Sequence, residues 1–152
     1  RKREIFFIHQ SAKDFLLEKA SHEVFAKGIK AAHYMIFSRS LQVLNTLQRN
    51  IYQLKSPGVL IHQVTKPTPD PLAATRYSCL YWVDHLREYD VNDNTNDILQ
   101  AGDLVEKFLK KKFLNWLEAL GLLRGISEAI AAMLKLDSFF QVSIHFYDFL
   151  PY

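Results

Sequence analysis

One stretch limits the possible folds more than any other. Between residues 103 and 123, Val105, Phe108, Leu109, Lys112, Phe113, Trp116, Leu117, Leu120 and Leu123 recur at three- and four-residue steps. That spacing traces one continuous face of an α-helix and cannot be laid on one face of a strand. Lys112 interrupts the face and is expected at its edge, its methylene stem lying along apolar surface. Glu106 and Lys110 stand on the opposite side as an i,i+4 pair, worth a few tenths of a kcal/mol, about 0.3–0.5. A helix of this length with so wide an apolar face needs other helices to cover it.

The rest of the chain supplies them. Gly28 precedes an amphipathic pattern over residues 29–47, in which Ala32, Ile36, Leu41, Leu44 and Leu47 are the expected inner positions. Ser56-Pro57-Gly58 then stops any helix, and residues 59–64 form a short β-favouring run, extended or packed as a loop. Pro67, Pro69 and Pro71 fix an extended connector, and Asp70-Pro71 reads as the N-cap and first position of a helix running to about residue 89. Apolar residues wrap most of that helix, so it belongs at the centre. Asp90 to Asn96 is a polar loop that lacks the glycine and closing Glu of a calcium-binding loop. A last helix is expected over residues 126–136, burying Ile126, Ile130, Met133 and Leu134. Phe140, Val142, Ile144 and Phe146 then alternate with polar residues in the period of a strand.

The composition agrees with a packed domain. Hydrophobic residues make up 49% and charged residues 23% of 152, and the net charge is +3, ordinary values for a globular chain. Lys and Arg are dispersed among acidic residues, which argues against a nucleic-acid binder; Arg1 to Arg3 and Lys110 to Lys112 read as solvated surface. Cys79 is the only cysteine, so no disulfide forms within the chain, and a reducing compartment, the cytoplasm, is expected. No apolar run is long enough to span a bilayer. The chain opens at Arg1 inside a strand-like run and reads as part of something longer.

No enzyme can be assembled from these residues. None of the glycines is followed by Lys-Ser or Lys-Thr, so there is no phosphate-binding loop of the Walker type. Cys79 and His85 are six apart, too far for a reliable pair on one helix. His22, His33, His62 and His145 show no metal-ligand spacing and read as satisfied core or boundary residues. Trp82 and Trp116 stand amid Leu, Phe and Tyr at helical spacing, which marks core rather than a stacking platform. The expected structural core is Phe15, Trp82, Leu86, Phe113, Trp116, Leu117 and Leu120.

At the amino-terminal end, a strand-forming run from Ile5 to Ile8 leads through His9 to Ser11 and Asp14, whose three-residue spacing is that of a capping box for a helix over residues 11–19. On residue chemistry alone His9 packs locally. Phe7, His9, Ser11, Asp14 and Phe15, however, resemble the end of the winged-helix domain in NACHT-type signalling ATPases. Two further stretches extend the likeness: the run Arg76 to Leu86, containing Tyr77, Cys79, Tyr81, Trp82 and His85, and the run Phe113 to Leu120. All three, in this order, look like the helical region downstream of the NACHT module in fungal NACHT–WD-repeat (NLR-like, STAND) proteins of the vegetative-incompatibility type. The likeness spans roughly residues 6–140. Asn115 departs from the family, which has a His there, and is expected to lie on the surface with little consequence.

The resemblance implies a mainly α chain: a helical bundle preceded by the last strand and helix of a winged-helix domain. Residues 1–20 would close that domain and residues 21–140 would form a helical linker domain. Residues 141–152 would be an atypical tail, not native to the family, whose last residues read as translated intron. The family's switch runs on ADP and ATP, and His9 would touch the ADP phosphate only in the intact parent; this chain itself would hold no cofactor and no metal. Its partners would be the NACHT and repeat domains of the same polypeptide, with homo-oligomers of the parent, and neither nucleic acid nor membrane. The alternative is a free-standing all-α protein–protein interaction module.

Overall fold

The computed structural model describes residues 10–15, 19, 25, 27–56, 58–89 and 95–147. The expected strand over residues 5–8 and His9 lie outside them. Among the described residues the secondary structure is helical, with no strand: α1 (Gln10–Asp14), α2 (Ile29–Leu44), α3 (Arg76–Glu88), α4 (Thr95–Leu122) and α5 (Ile126–Tyr147). Helices α2 to α5 form the expected helical bundle, in which α2 packs most extensively on α3, and α4 and α5 pack on both α3 and each other.

Helix α1 starts at Gln10, so Ser11 lies inside it and cannot serve as its cap. Asp14 instead accepts a hydrogen bond from the Gln10 side-chain amide at 2.9 Å, one turn away. Helix α2 buries Phe37, Ser40, Leu41 and Leu44, the i, i+3, i+4, i+7 stripe of a helix facing a core. Ile36, expected inside, is 38% exposed; Phe37 takes the inward position. Thr46 closes the helix, its hydroxyl donating to the Val43 carbonyl at 2.7 Å. Leu47, just beyond, is buried, and its carbonyl accepts from Lys112 Nζ at 2.7 Å and from Asn115 Nδ2 at 3.5 Å. Lys112 therefore interrupts the apolar face of α4 for a reason: its ammonium satisfies a carbonyl left over at the end of α2. Asn115, expected to matter little, is half-buried against the same oxygen.

The connector from residue 45 to residue 75 is held by side chains where helix bonds are missing. Asn50, with φ of 52°, pairs both its amide atoms with the backbone of Leu54, at 2.7 and 2.9 Å, and its own N–H donates to Glu118 at 3.0 Å. The run over residues 59–64 is no strand; Ile61–Gln63 forms a single 3-10 turn. Asp70 gathers the second half of the connector. Its carboxylate accepts from Tyr52 at 2.9 Å and from the Leu72 amide at 2.9 Å, and pairs with Lys66 at 2.7 Å. Burial works against the ionised Asp70, but these donors outweigh it and hold the carboxyl below its ordinary value. Burial and the adjoining Asp70 push Tyr52 up to about 12. Because Asp70 captures the Leu72 amide locally, residues 71–75 turn rather than wind, and α3 begins at Arg76, later than the Asp-Pro signal implied.

The core lies where α2, α3 and α4 meet. Trp82 and Trp116 are both fully buried, as are Leu86 and Leu120, with Phe113 packed at the margin and Leu117 half-buried. The two indoles meet edge-on at 5.4 Å, and Phe108 meets Trp82 and Trp116 edge-on at 5.3 and 6.1 Å. This is the arrangement ring quadrupoles favour, worth about 0.5–1.5 kcal/mol per pair beyond area burial. Phe15, expected in the core, is 55% exposed.

Helix α4 ends in a Schellman motif. The Gly125 N–H donates to Leu120 O at 2.8 Å and the Arg124 N–H to Gly121 O at 3.1 Å, which makes Arg124 the left-handed residue, with φ of 59°. At Gly125 a Cβ would come within 2.8 Å of Leu80 Cδ2, the end of a flexible side chain that would have to shift to admit it. Helix α5 buries the small residues Ala129 and Ala132 and then Leu136. Ile126, Ile130 and Leu134, expected inside, are 54%, 60% and 65% exposed. Nor does the alternation after Phe140 make a strand. Phe140 stands one turn beyond the buried Leu136, and α5 continues without a break to Tyr147.

Candidate functional site

Three features offer more than packing. The first is an open groove of about 560 Å³ between the connector and the junction of α4 with α5. It is lined chiefly by Leu54, Ile61, Val64, Leu122 and Ile126, with Glu118 and Arg124 as its charged members. An apolar trough with two opposite charges suits an apolar side chain or helix better than a polar metabolite. The second feature continues from it. Ile126 leads to Ile130 and Leu134 at i+4 and i+8, so the groove opens onto an apolar ridge along the outer face of α5. A contiguous exposed apolar surface of this kind marks an interaction surface.

The third feature is a line of three side chains across the seam between α2 and α3. His33 Nδ1 of α2 lies 2.9 Å from His85 Nδ1 of α3, and His85 Nε2 lies 2.7 Å from the Tyr77 hydroxyl one full double turn earlier on α3. Burial pushes the Tyr77 phenol up, with Tyr81 and Asp84 adding to it, so the phenol stays neutral. Burial, followed by the charge of His33, pulls His85 down from its ordinary value, against a smaller opposing effect of Asp84 and Glu88. Asp84 is in turn paired with Lys135 of α5. Sequence spacing gave no sign of this cluster, since His33 and His85 are far apart in the chain and each reads as a lone histidine.

No chemistry was expected of Cys79 or His62. Cys79 is buried. Burial pushes its thiol up to about 11, although the Thr75 hydroxyl works the other way, so no thiolate is available at neutral pH. Its carbonyl, not its sulfur, makes the useful contact: Trp116 Nε1 donates to Cys79 O at 2.9 Å. His62 lines the groove. Among the described residues no group of three or more His, Cys, Asp or Glu side chains is placed to hold a metal ion. No described helix is long and apolar enough to cross a membrane.

Comparison with known proteins yields one informative relative. The chain is 47% identical to vegetative incompatibility protein HET-E-1 of Podospora anserina, over 91% of its own length. The likeness read from the three motifs is shown. This chain is a relative of a vegetative incompatibility protein. It spans only 11% of that relative's length, so the match identifies a segment and not a whole machine. No family model matches the chain, and no solved structure matches it.

Proposed function

We propose that this chain is a non-catalytic helical segment of a NACHT-type signalling ATPase, which relays between the nucleotide switch and the repeat sensor. The observation that carries the reading is the match to HET-E-1: nearly half the residues are identical along almost the whole chain, against a small part of a much longer incompatibility protein. The helical bundle fits a part that transmits rather than reacts. Its aromatic centre is fully buried, while the groove and the α5 ridge leave apolar surface for neighbouring domains of the same polypeptide. Coupling through such a segment requires contacts that differ between the two states of the switch. In the intact parent, which would act in the cytoplasm and assemble into homo-oligomers, residues 1–20 would complete a winged-helix domain. His9 would there touch the β-phosphate of ADP.

The test uses the full-length protein that contains this segment. Ile130→Gln together with Leu134→Gln should leave the segment folded and abolish or unleash the incompatibility reaction. Wild-type signalling from a correctly folded double variant would remove the relay role. His9→Ala should loosen ADP retention and raise basal signalling; unchanged ADP occupancy would leave His9 as a packing residue. The second reading, a free-standing interaction module, is favoured by the closed aromatic core. It predicts that the 152-residue chain alone is monodisperse and binds no dye, whereas the relay reading predicts dye binding at the uncovered groove and ridge.

A further inference from the structure

The three-membered line at the α2–α3 seam has a property that follows from counting protons. In the neutral state every atom can be satisfied in one of two directions. Tyr77 donates to His85 Nε2 and His85 Nδ1–H donates to His33 Nδ1, or all these bonds run the other way. One added proton is also accommodated. His33 then carries hydrogens on both nitrogens and donates from Nδ1, while His85 accepts on Nδ1 and donates from Nε2 to the Tyr77 oxygen. A second added proton is not. Both Nδ1 atoms would then carry hydrogens and face each other at 2.9 Å, with a positive charge on each ring. The ring centroids lie only 5.0 Å apart, so the two charges would oppose each other directly across the α2–α3 seam.

We propose that the His33–His85 contact is an acid-sensitive latch, closed with no or one added proton and opened by the second, which separates α2 from α3. Neighbouring charges do not remove the conflict. Asp84 and Glu88 on α3 favour charged His85, but the Asp84 carboxylate is already engaged by Lys135 of α5. Lys30 lies one turn before His33 on α2. From α4 and the connector no charged group among the described residues acts on His85. Tyr77 is held neutral and cannot serve as counter-ion. The direction of the pH dependence follows. His85 is depressed below 6.5 in the fold, so the unfolded chain binds more protons there. Stability is therefore full above 6.5 and is lost as pH falls below it, through the folded value of His85.

The experiment is a long-range proton–nitrogen NMR titration of the 15N-labelled 152-residue chain from pH 8 to 4.5. His33 and His85 are expected to titrate in two linked steps more than about one pH unit apart, with contacts between α2 and α3 lost at the second step only. His33→Gln should convert His85 to a single step lying at higher pH than the wild-type second step. Two independent single steps closer than that, or an α2–α3 seam that survives the second proton, would overturn the latch. The wild-type titration decides this alone, should the variant fail to fold.

Discussion

The centre of the bundle and its outer helix use hydrophobic residues in opposite ways. Around Trp82, Phe108 and Trp116, the large side chains point inward and fill the space between α2, α3 and α4. On α5 the small residues, Ala129 and Ala132, point inward and the large ones, Ile126, Ile130 and Leu134, face out. At the centre large side chains fill the volume between helices, whereas at the start of α5 Gly125 lies close against Leu80 and the inward residues that follow are small. Hydrophobicity alone does not say which face is buried.

Substitutions can break or sharpen this contrast. Trp116→Ala should have the largest effect, costing about 3–5 kcal/mol in denaturant unfolding through the cavity it leaves. A cost near zero would mean that the aromatic centre does not hold the helices together. Ala132→Leu comes next: adding volume where the outer helix lies close should cost about 1–3 kcal/mol. The centre contains a finer contrast. Both indoles are buried, but Trp116 donates to Cys79 O, whereas Trp82 Nε1 has no partner among the described residues. Trp116→Phe should therefore destabilise by about 1 kcal/mol more than Trp82→Phe, measured as the difference in midpoint between the two variants. At the junction of the two regions, Arg124→Gly should raise the thermal midpoint. It relieves a left-handed residue costing about 1–2 kcal/mol against about 0.5–1 of added chain entropy. The smallest effect belongs to the outer face. Ile130→Gln should leave stability within about 0.5 kcal/mol of wild type while reducing dye binding; a large loss would place Ile130 inside the bundle.

Much of this was legible in the sequence, and the limits have physical causes. The face of α4 from Val105 to Leu123 and the burial of Trp82, Leu86, Trp116 and Leu120 follow from spacing, because a long helix with large residues has only one way to hide them. Even Lys112 was readable as an edge residue, though not as a donor to Leu47 O. The wrong face of α5 followed from ranking residues by hydrophobicity, when Gly125 with Ala129 and Ala132 carried the signal of close approach. The late start of α3 came from reading Asp70 as a helix cap, when Tyr52 and Lys66, both upstream, hold it in the connector. The His33–His85 contact could not be read at all. It joins two helices through a register that only their packing sets, and neither histidine has a partner at helical spacing except Tyr77.

The length of α4 has a mechanical side. Its 28 residues extend about 42 Å at 1.5 Å per residue, and Ala101, Val105, Phe108, Trp116 and Leu120 are buried along most of that length. A tilt of about 5° about Trp116 would carry Thr95, about 31 Å away, through about 3 Å. The buried residues between them would have to move as well, so α4 can tilt only by taking its neighbouring helices with it.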